Sequence, residues 1–304
     1  MVGALVVLGL FPAAGCTRDD AADRGQSAVG AAASSGVVDD FGDTIAVAAP
    51  PERIVSLNPA TTEMLFALGA GARLVGRTHW DLYPDSARRV PDLGNGLQPN
   101  VEAVLATRPQ LVVLYASADN RAAARALRAA GVATVALKVD SIAEFRRAVL
   151  ALGRLVGDTT RARVVADSVA RTLARVRAAT AGEPRVRVFW HVWDAPLLTI
   201  GGGSYLNELV DIAGGRNVYA DLPAPSPQIT LEDLTRRDPE VVLAGAEGAR
   251  RIRGDPAWRA LAAVRAGRVL VVDTALVGRP SVRLGEAAVS LARLLHPGAL
   301  ERRP

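Results

Sequence analysis

Two carboxylates sit in matching surroundings far apart in the chain, Glu102 in "NVEAVLATRPQLVVL" and Glu232 in "TLEDLTRRDPEVVL". Each follows a residue suited to capping a helix, Asn100 or Thr230. Each precedes a proline by seven residues, Pro109 or Pro239, with a burst of aliphatic side chains behind it. At the second position of a capped helix, a carboxylate interacts favourably with the helix dipole whatever else it does. The rest of the chemically capable inventory is sparse. A single cysteine, Cys16, excludes an intramolecular disulfide, and three histidines, His79, His191 and His296, are too few and too scattered to read as a metal centre. "IGGGSYLNE" is glycine-rich behind a strand pattern, but it lacks the GxGxxG spacing and the lysine of a phosphate-binding loop; Gly201 to Gly203 read as a turn into the next helix. No serine, histidine and acid share a recognisable nucleophile context. Enzymatic chemistry finds no support, and the repeated glutamate unit is the feature to explain.

The elements that must position these residues alternate in type. "RIVSL" reads as a strand, "PATTEMLFALGAG" as a short helix capped by Thr61 or Thr62, and "ARLVG" as a strand. "PNVEAVLATRP" is a helix that stops before Pro109, because a residue preceding proline avoids the α region. "QLVVLY", "NRAAARALRAAG", "VATVAL" and "SIAEFRRAVLALGRLVG" continue as strand, helix, strand and helix. Alternation of this kind argues for parallel sheets covered by helices. A long run free of Gly and Pro follows, with Asp158 as its cap and Val165, Val169, Leu173 and Val176 on one stripe. At 1.5 Å per residue it spans about 30 Å, the width of a small domain. The alternation then resumes with "RVRVFWHVW", "SYLNELVDIAG", "TLEDLTRRDP", "EVVLAG" and "RVLVVD", and "RPSVRLGEAAVSLARLLHP" closes the chain as an amphipathic helix. The expected fold class is therefore α/β: two α/β lobes with parallel sheets, residues 37–157 and 183–304, joined by one long backbone helix over 158–182. Each lobe carries one copy of the helix–Pro–strand unit, which makes the repeat a pseudo-symmetry between lobes rather than a solenoid.

Composition fits a core-forming chain: half of the 304 residues are hydrophobic. The net charge of +5 comes from arginines interleaved with acids, without an aromatic-rich basic cluster, so nucleic acid is not the expected partner. The start, "GALVVLGLFPAAGC", is an apolar run of signal-peptide length, too short for a transmembrane span. It resembles a bacterial lipoprotein signal over 1–16, with Cys16 as the lipidation site, although Ala13 stands where such signals carry Leu. The stretch 17–36, "TRDDAADRGQSAVGAAASSG", is small and polar, a flexible tether by composition. Anchor and tether place the folded part on the periplasmic or cell-surface side of the cytoplasmic membrane.

Five stretches in order, "RIVSLNPATTEMLFALGAGARLVGRTHWDLYP", "NVEAVLATRPQLVVL", "LNELVDIAGGRNVY", "PQITLEDLTRRDPEVVL" and "GRPSVRLGEAA", resemble the helical-backbone substrate-binding proteins of bacterial ABC importers. That family binds cobalamin, ferric siderophores or haem, and "THWDLYP" and "PQITLED" are most similar to the cobalamin binders. The resemblance implies a monomeric receptor with a small ligand between the lobes and an ABC permease dimer as partner. It implies that Glu102 and Glu232 dock onto arginines of the two permease subunits. It places Trp80, Tyr115 and Arg279 at the ligand; Tyr83, three residues beyond Trp80, Asp273, at the end of "RVLVVD", and Trp193, beside Val192 as the direct match for an aromatic position, are expected at the same site. Gly96 and Ser226 stand where cobalamin binders carry Trp. No resident cofactor or metal is implied; the transported ligand is cobalamin, with haem or a ferric siderophore as the alternative.

Overall fold

The computed structural model describes residues 36–301, so Cys16 and the tether up to Ser35 lie outside the described residues. A two-strand hairpin, β1 (Val37–Val38) and β2 (Thr44–Ile45), opens the fold and turns through Gly42 at φ +88°. The first lobe follows as β3 (Ile54–Ser56), α1 (Pro59–Ala67), β4 (Leu74–Gly76), α2 (Val101–Ala106), β5 (Leu111–Tyr115), α3 (Asn120–Ala129), β6 (Ala133–Leu137) and α4 (Ile142–Val156). Its four strands are ordered β4-β3-β5-β6 and all pair in parallel. Helix α5 (Thr159–Thr180) crosses to the second lobe, capped by the Asp158 carboxylate, which accepts from the Arg161 amide. The second lobe comprises β7 (Val186–Asp194), β8 (Leu197–Thr199), α6 (Tyr205–Ile212), β9 (Gly215–Asn217), α7 (Leu231–Arg237), β10 (Val241–Ala244), α8 (Ala246–Gly254), α9 (Ala262–Arg265), β11 (Val269–Val271), α10 (Thr274–Val277) and α11 (Leu284–Leu295).

Three local expectations need correction. Asn58, not Thr61 or Thr62, caps α1: its side chain accepts from the Ala60 amide, while the Thr62 hydroxyl reaches Asp81 and that of Thr61 bonds locally to the Asn58 carbonyl and Ser56. The final helix begins at Leu284 rather than in "RPSV", since Pro280 and the turn at Ser281 delay it. The second sheet is not wholly parallel: β11, β10, β7 and β9 are, but β8 returns against the end of β7 as a hairpin.

Alternation along the strands explains where the core sits. Leu111 and Val113 of β5 face one cluster and Val112 and Leu114 the other, because successive strand residues point to opposite faces. β10 repeats the pattern with Val241 and Leu243 on one face and Val242 and Ala244 on the other. The inner faces of both sheets belong to a single apolar cluster that runs through α4, α5 and α11. On α5 the buried stripe is Ala162, Ala166, Val169, Leu173, Val176 and Thr180, with Val165 only half-buried at its edge. Small residues let the helices meet: a Cβ on Gly153 would lie 2.3 Å from that of Ala162. The lobes are thus joined through packed core and not through a flexible linker.

Candidate functional site

The carboxyl ends of the first sheet's strands open onto a cavity of about 750 Å³ between the lobes. Leu57 follows β3, Trp80 follows β4, Tyr115 ends β5 and Lys138 follows β6, and all four line it. This is the usual place for a ligand beside a parallel sheet. The second lobe contributes Val192 from β7, Tyr205 at the start of α6, Ser226 from the loop before α7, and Arg279 after α10.

Trp80 is 59% exposed, an unusual cost for so large an apolar surface. Its loop is fastened from below by Asp81, which is fully buried. The Asp81 carboxylate accepts from the Thr62 hydroxyl at 2.7 Å, the Thr78 hydroxyl at 2.7 Å and the Thr78 amide at 3.2 Å. Thr78 Oγ1 in turn accepts from the Trp80 amide at 3.3 Å. Burial outweighs these bonds and pushes the Asp81 carboxyl above its ordinary range. His79 packs against the indole with ring centroids 4.5 Å apart.

Tyr115 donates its hydroxyl hydrogen to Asp140, whose two oxygens both lie 2.8 Å away. Burial, reinforced by that carboxylate, pushes the phenol far above its usual value, so it remains protonated. Tyr205 is likewise held protonated by burial and donates to the Val277 carbonyl at 2.5 Å.

Arg279 reaches across the lobes. Its Nη1 lies 3.4 Å from Glu63 Oε1 of α1, while Glu63 Oε2 accepts from the Ser281 hydroxyl at 2.6 Å. Glu63 is 1% exposed, and burial raises its pKa against the opposing pull of Ser281 and Arg279. Sequence reading missed both Glu63 and Asp81. A lone acid inside the apolar helix "TTEMLFAL" was the available signal for Glu63, since a buried carboxylate demands partners.

Three residues expected at the ligand stand outside the cavity wall. Tyr83 lies under the guanidinium of Arg283, 4.2 Å from its ring centroid, and serves an inter-lobe contact. Trp193 points away, 60% exposed, with its indole N–H donating to the Ala195 carbonyl; its neighbour Val192 is in the wall. Asp273 caps α10 by accepting from the amides of Ala275 and Leu276. Gly96 and Ser226 do line the cavity, but a Cβ on Gly96 would come within 2.1 Å of the Leu57 carbonyl oxygen, so this backbone has no room for an aromatic side chain there. Leu97, 54% exposed, presents an apolar face beside it. The Gly201–Gly203 run is explained by close approach too: Cβ atoms there would meet carbonyl oxygens of Ala224, Ala220 and Pro223 at 2.1–2.4 Å. Among the described residues, no group of three or more His, Cys, Asp or Glu side chains is placed to hold a metal ion.

Glu102 and Glu232 stand outside this wall, each exposed in the first turn of its helix, α2 or α7. The Asn100 and Thr230 side chains cap those helices as expected, and neither glutamate forms an ion pair among the described residues. From 101 to 110 and from 231 to 240, burial follows the same order residue by residue.

Comparison with known proteins agrees with this architecture. Residues 54–276 match the family model described as periplasmic binding protein. A cobalamin-binding protein of Halobacterium salinarum is 30% identical over 266 residues, covering 81% of this chain and 70% of the relative. The crystal structure of the periplasmic vitamin B12 binding protein of Vibrio cholerae superposes with a TM-score of 0.71 at 24% identity, covering 84% of this chain and 99% of that one. A periplasmic haem-binding protein solved with two haems superposes with a TM-score of 0.73 at 26% identity, over 82% and 98%.

Proposed function

Because the chain belongs to the periplasmic binding protein family, whose members are receptors and not enzymes, we propose that it captures a cobalamin-type corrinoid in the inter-lobe cavity and delivers it to an ABC import permease. The observation that carries the choice of ligand is the condition of the cavity's phenols. The Tyr115 hydroxyl is committed to Asp140 and that of Tyr205 to a backbone carbonyl. Either hydroxyl would have to give up that bond to ligate the iron of haem or of an open ferric chelate. The three histidines are also absent from the cavity wall. Such a site suits a macrocycle whose metal brings its own axial ligands and is recognised by its faces and edge. Trp80 and Leu97 supply apolar faces, while Asn58, Asn95 and Ser226 supply neutral groups that fit the amide-rich rim of a corrinoid. The cobalamin-binding relative supports the same ligand.

Delivery is assigned to Glu102 and Glu232. Two related lobes presenting unpaired carboxylates in the same local frame suit a permease of two related subunits, and charge pairing there fixes orientation and speeds encounter. The reading is completed by an anchor through Cys16 and a position outside the cytoplasmic membrane, with the protein acting as a monomer.

Titration of the soluble part with cyanocobalamin, followed by calorimetry, tests the ligand. One-to-one binding at about micromolar affinity or tighter is expected. A haem titration that produces a shifted Soret band, with no heat from cyanocobalamin, would replace the corrinoid by haem; saturable binding of a ferric siderophore alone would replace it by that class.

A further inference from the structure

The cavity wall carries three charged side chains among the described residues: Lys138, Asp140 and Arg279. Each cation has an acid in hand. Lys138 Nζ lies 3.6 Å from Asp140 and 4.0 Å from Glu144. Arg279, three-quarters buried, lies 3.4 Å from Glu63, which contributes no surface to the cavity. A guanidinium in a ligand cleft ordinarily recruits carboxylates or phosphates, because its fixed donors match them and the partly dry setting strengthens the bond. Here a carboxylate of the protein already occupies that role. Ser281 fixes its other oxygen at 2.6 Å, so Glu63 cannot turn away without breaking a second buried bond.

We propose that Glu63 is a specificity-determining positioning residue, which neutralises Arg279 from behind the wall and so makes the cleft discriminate against ligands edged with carboxylates in favour of the same ligands edged with amides. The inference rests on the corrinoid reading for its preferred ligand, though not for its charge logic. Arg279 keeps donors for neutral carbonyl oxygens, which do not require an unbalanced cation. An added carboxylate would find Arg279 already paired with Glu63 and Lys138 with Asp140, a built-in penalty against the wrong partner.

The experiment compares cyanocobalamin with its monocarboxylic acid derivative, which changes one rim amide to a carboxylate at nearly constant shape. Wild type should bind the acid about tenfold more weakly than the amide. Glu63→Gln should bind cyanocobalamin within about threefold of wild type yet bring the two ligands to parity or favour the acid. Glu63→Asp, which keeps the charge, should retain the preference for the amide. A merely structural Glu63 would weaken both ligands together and leave their ratio unchanged, and that result would overturn the proposal. Wild type alone is also decisive: tighter binding of the acid than of the amide would show Arg279 to be an available cation. If no corrinoid binds, the corrinoid reading fails by itself. The charge assignment is then read from haem against its dimethyl ester, where the ester should win in wild type and lose its advantage in Glu63→Gln.

Discussion

Arg53 and Arg187 hold the same place in the two lobes. Arg53, at the foot of β3, donates from Nε to the carbonyls of Thr107 and Arg108 at 3.1 Å, the final carbonyls of the α2 segment. Arg187, in β7, donates to the carbonyls of Arg237 and Asp238 at the end of α7. The residues after the prolines answer in kind, as Gln110 accepts from the Arg53 amide at 3.1 Å and Glu240 from the Arg187 amide at 2.7 Å. The residues before the prolines, Arg108 and Asp238, both have positive φ, 50° and 42°. Such a conformation is sparsely populated for residues other than glycine and asks to be held from outside. Each arginine therefore clips a helix end to the neighbouring strand, and the helix so clipped is the one that carries the exposed glutamate.

Arg53→Ala and Arg187→Ala should each lower stability by about 1 kcal/mol, since each removes hydrogen bonds from carbonyls that water can partly reach. The clips lie in separate lobes with no shared partner, so the double variant should lose about the sum. Lysine should not restore stability, because one ammonium cannot reproduce the planar fork. Urea melts of the four variants and wild type check this.

The docking assignment separates cleanly from ligand binding. Glu102→Ala with Glu232→Ala should leave cyanocobalamin affinity within about twofold, as neither side chain lies in the cavity wall. Stimulation of the partner permease's ATPase should fall steeply, and more steeply at low ionic strength, where paired charges contribute most. Undiminished stimulation would remove the docking role.

Trp80 is expected to matter for ligand and little for folding. Being more than half exposed, it buries little surface in the free protein, so Trp80→Ala should change the melting temperature by only a degree or two. Ligand affinity should fall at least about tenfold, the loss of one large aromatic contact. Calorimetry and a thermal melt on the same sample decide it.

Asp81 gives stability a definite pH slope. Burial raises its carboxyl, so the folded state holds a proton that the unfolded chain has released. The stabilisation this brings is fully present below the unfolded carboxylate range and is lost as pH rises through the raised folded value. Asp81→Asn removes that group, keeping an oxygen to accept from Thr62 or Thr78. Between about pH 4 and pH 8, the melting temperature of Asp81→Asn relative to wild type should therefore climb with pH. A difference independent of pH would mean that Asp81 is not held above its ordinary range.

Much of the architecture was written in local pattern. The helix over 159–180 follows from a Gly- and Pro-free run behind Asp158, and strands β5 and β10 follow from aliphatic bursts behind Pro109 and Pro239. Even the correspondence of Glu102 with Glu232 was legible, because caps, prolines and apolar spacing act over a few residues and leave the same trace twice. The binding cavity was less so. Trp80, Tyr115 and Arg279 arrive at the wall, while Tyr83, Trp193 and Asp273 turn to other partners. A shift of one strand position separates Val192 in the wall from Trp193 outside it, since adjacent residues face opposite ways. What the sequence by itself determined is the set of elements and their order, because hydrophobic period and backbone stereochemistry are local. Only the tertiary structure decided that Glu63 meets Arg279 and Ser281 more than two hundred residues later. A buried charge takes its partner from whatever the packed lobes bring within reach, and that distance is a property of the whole fold.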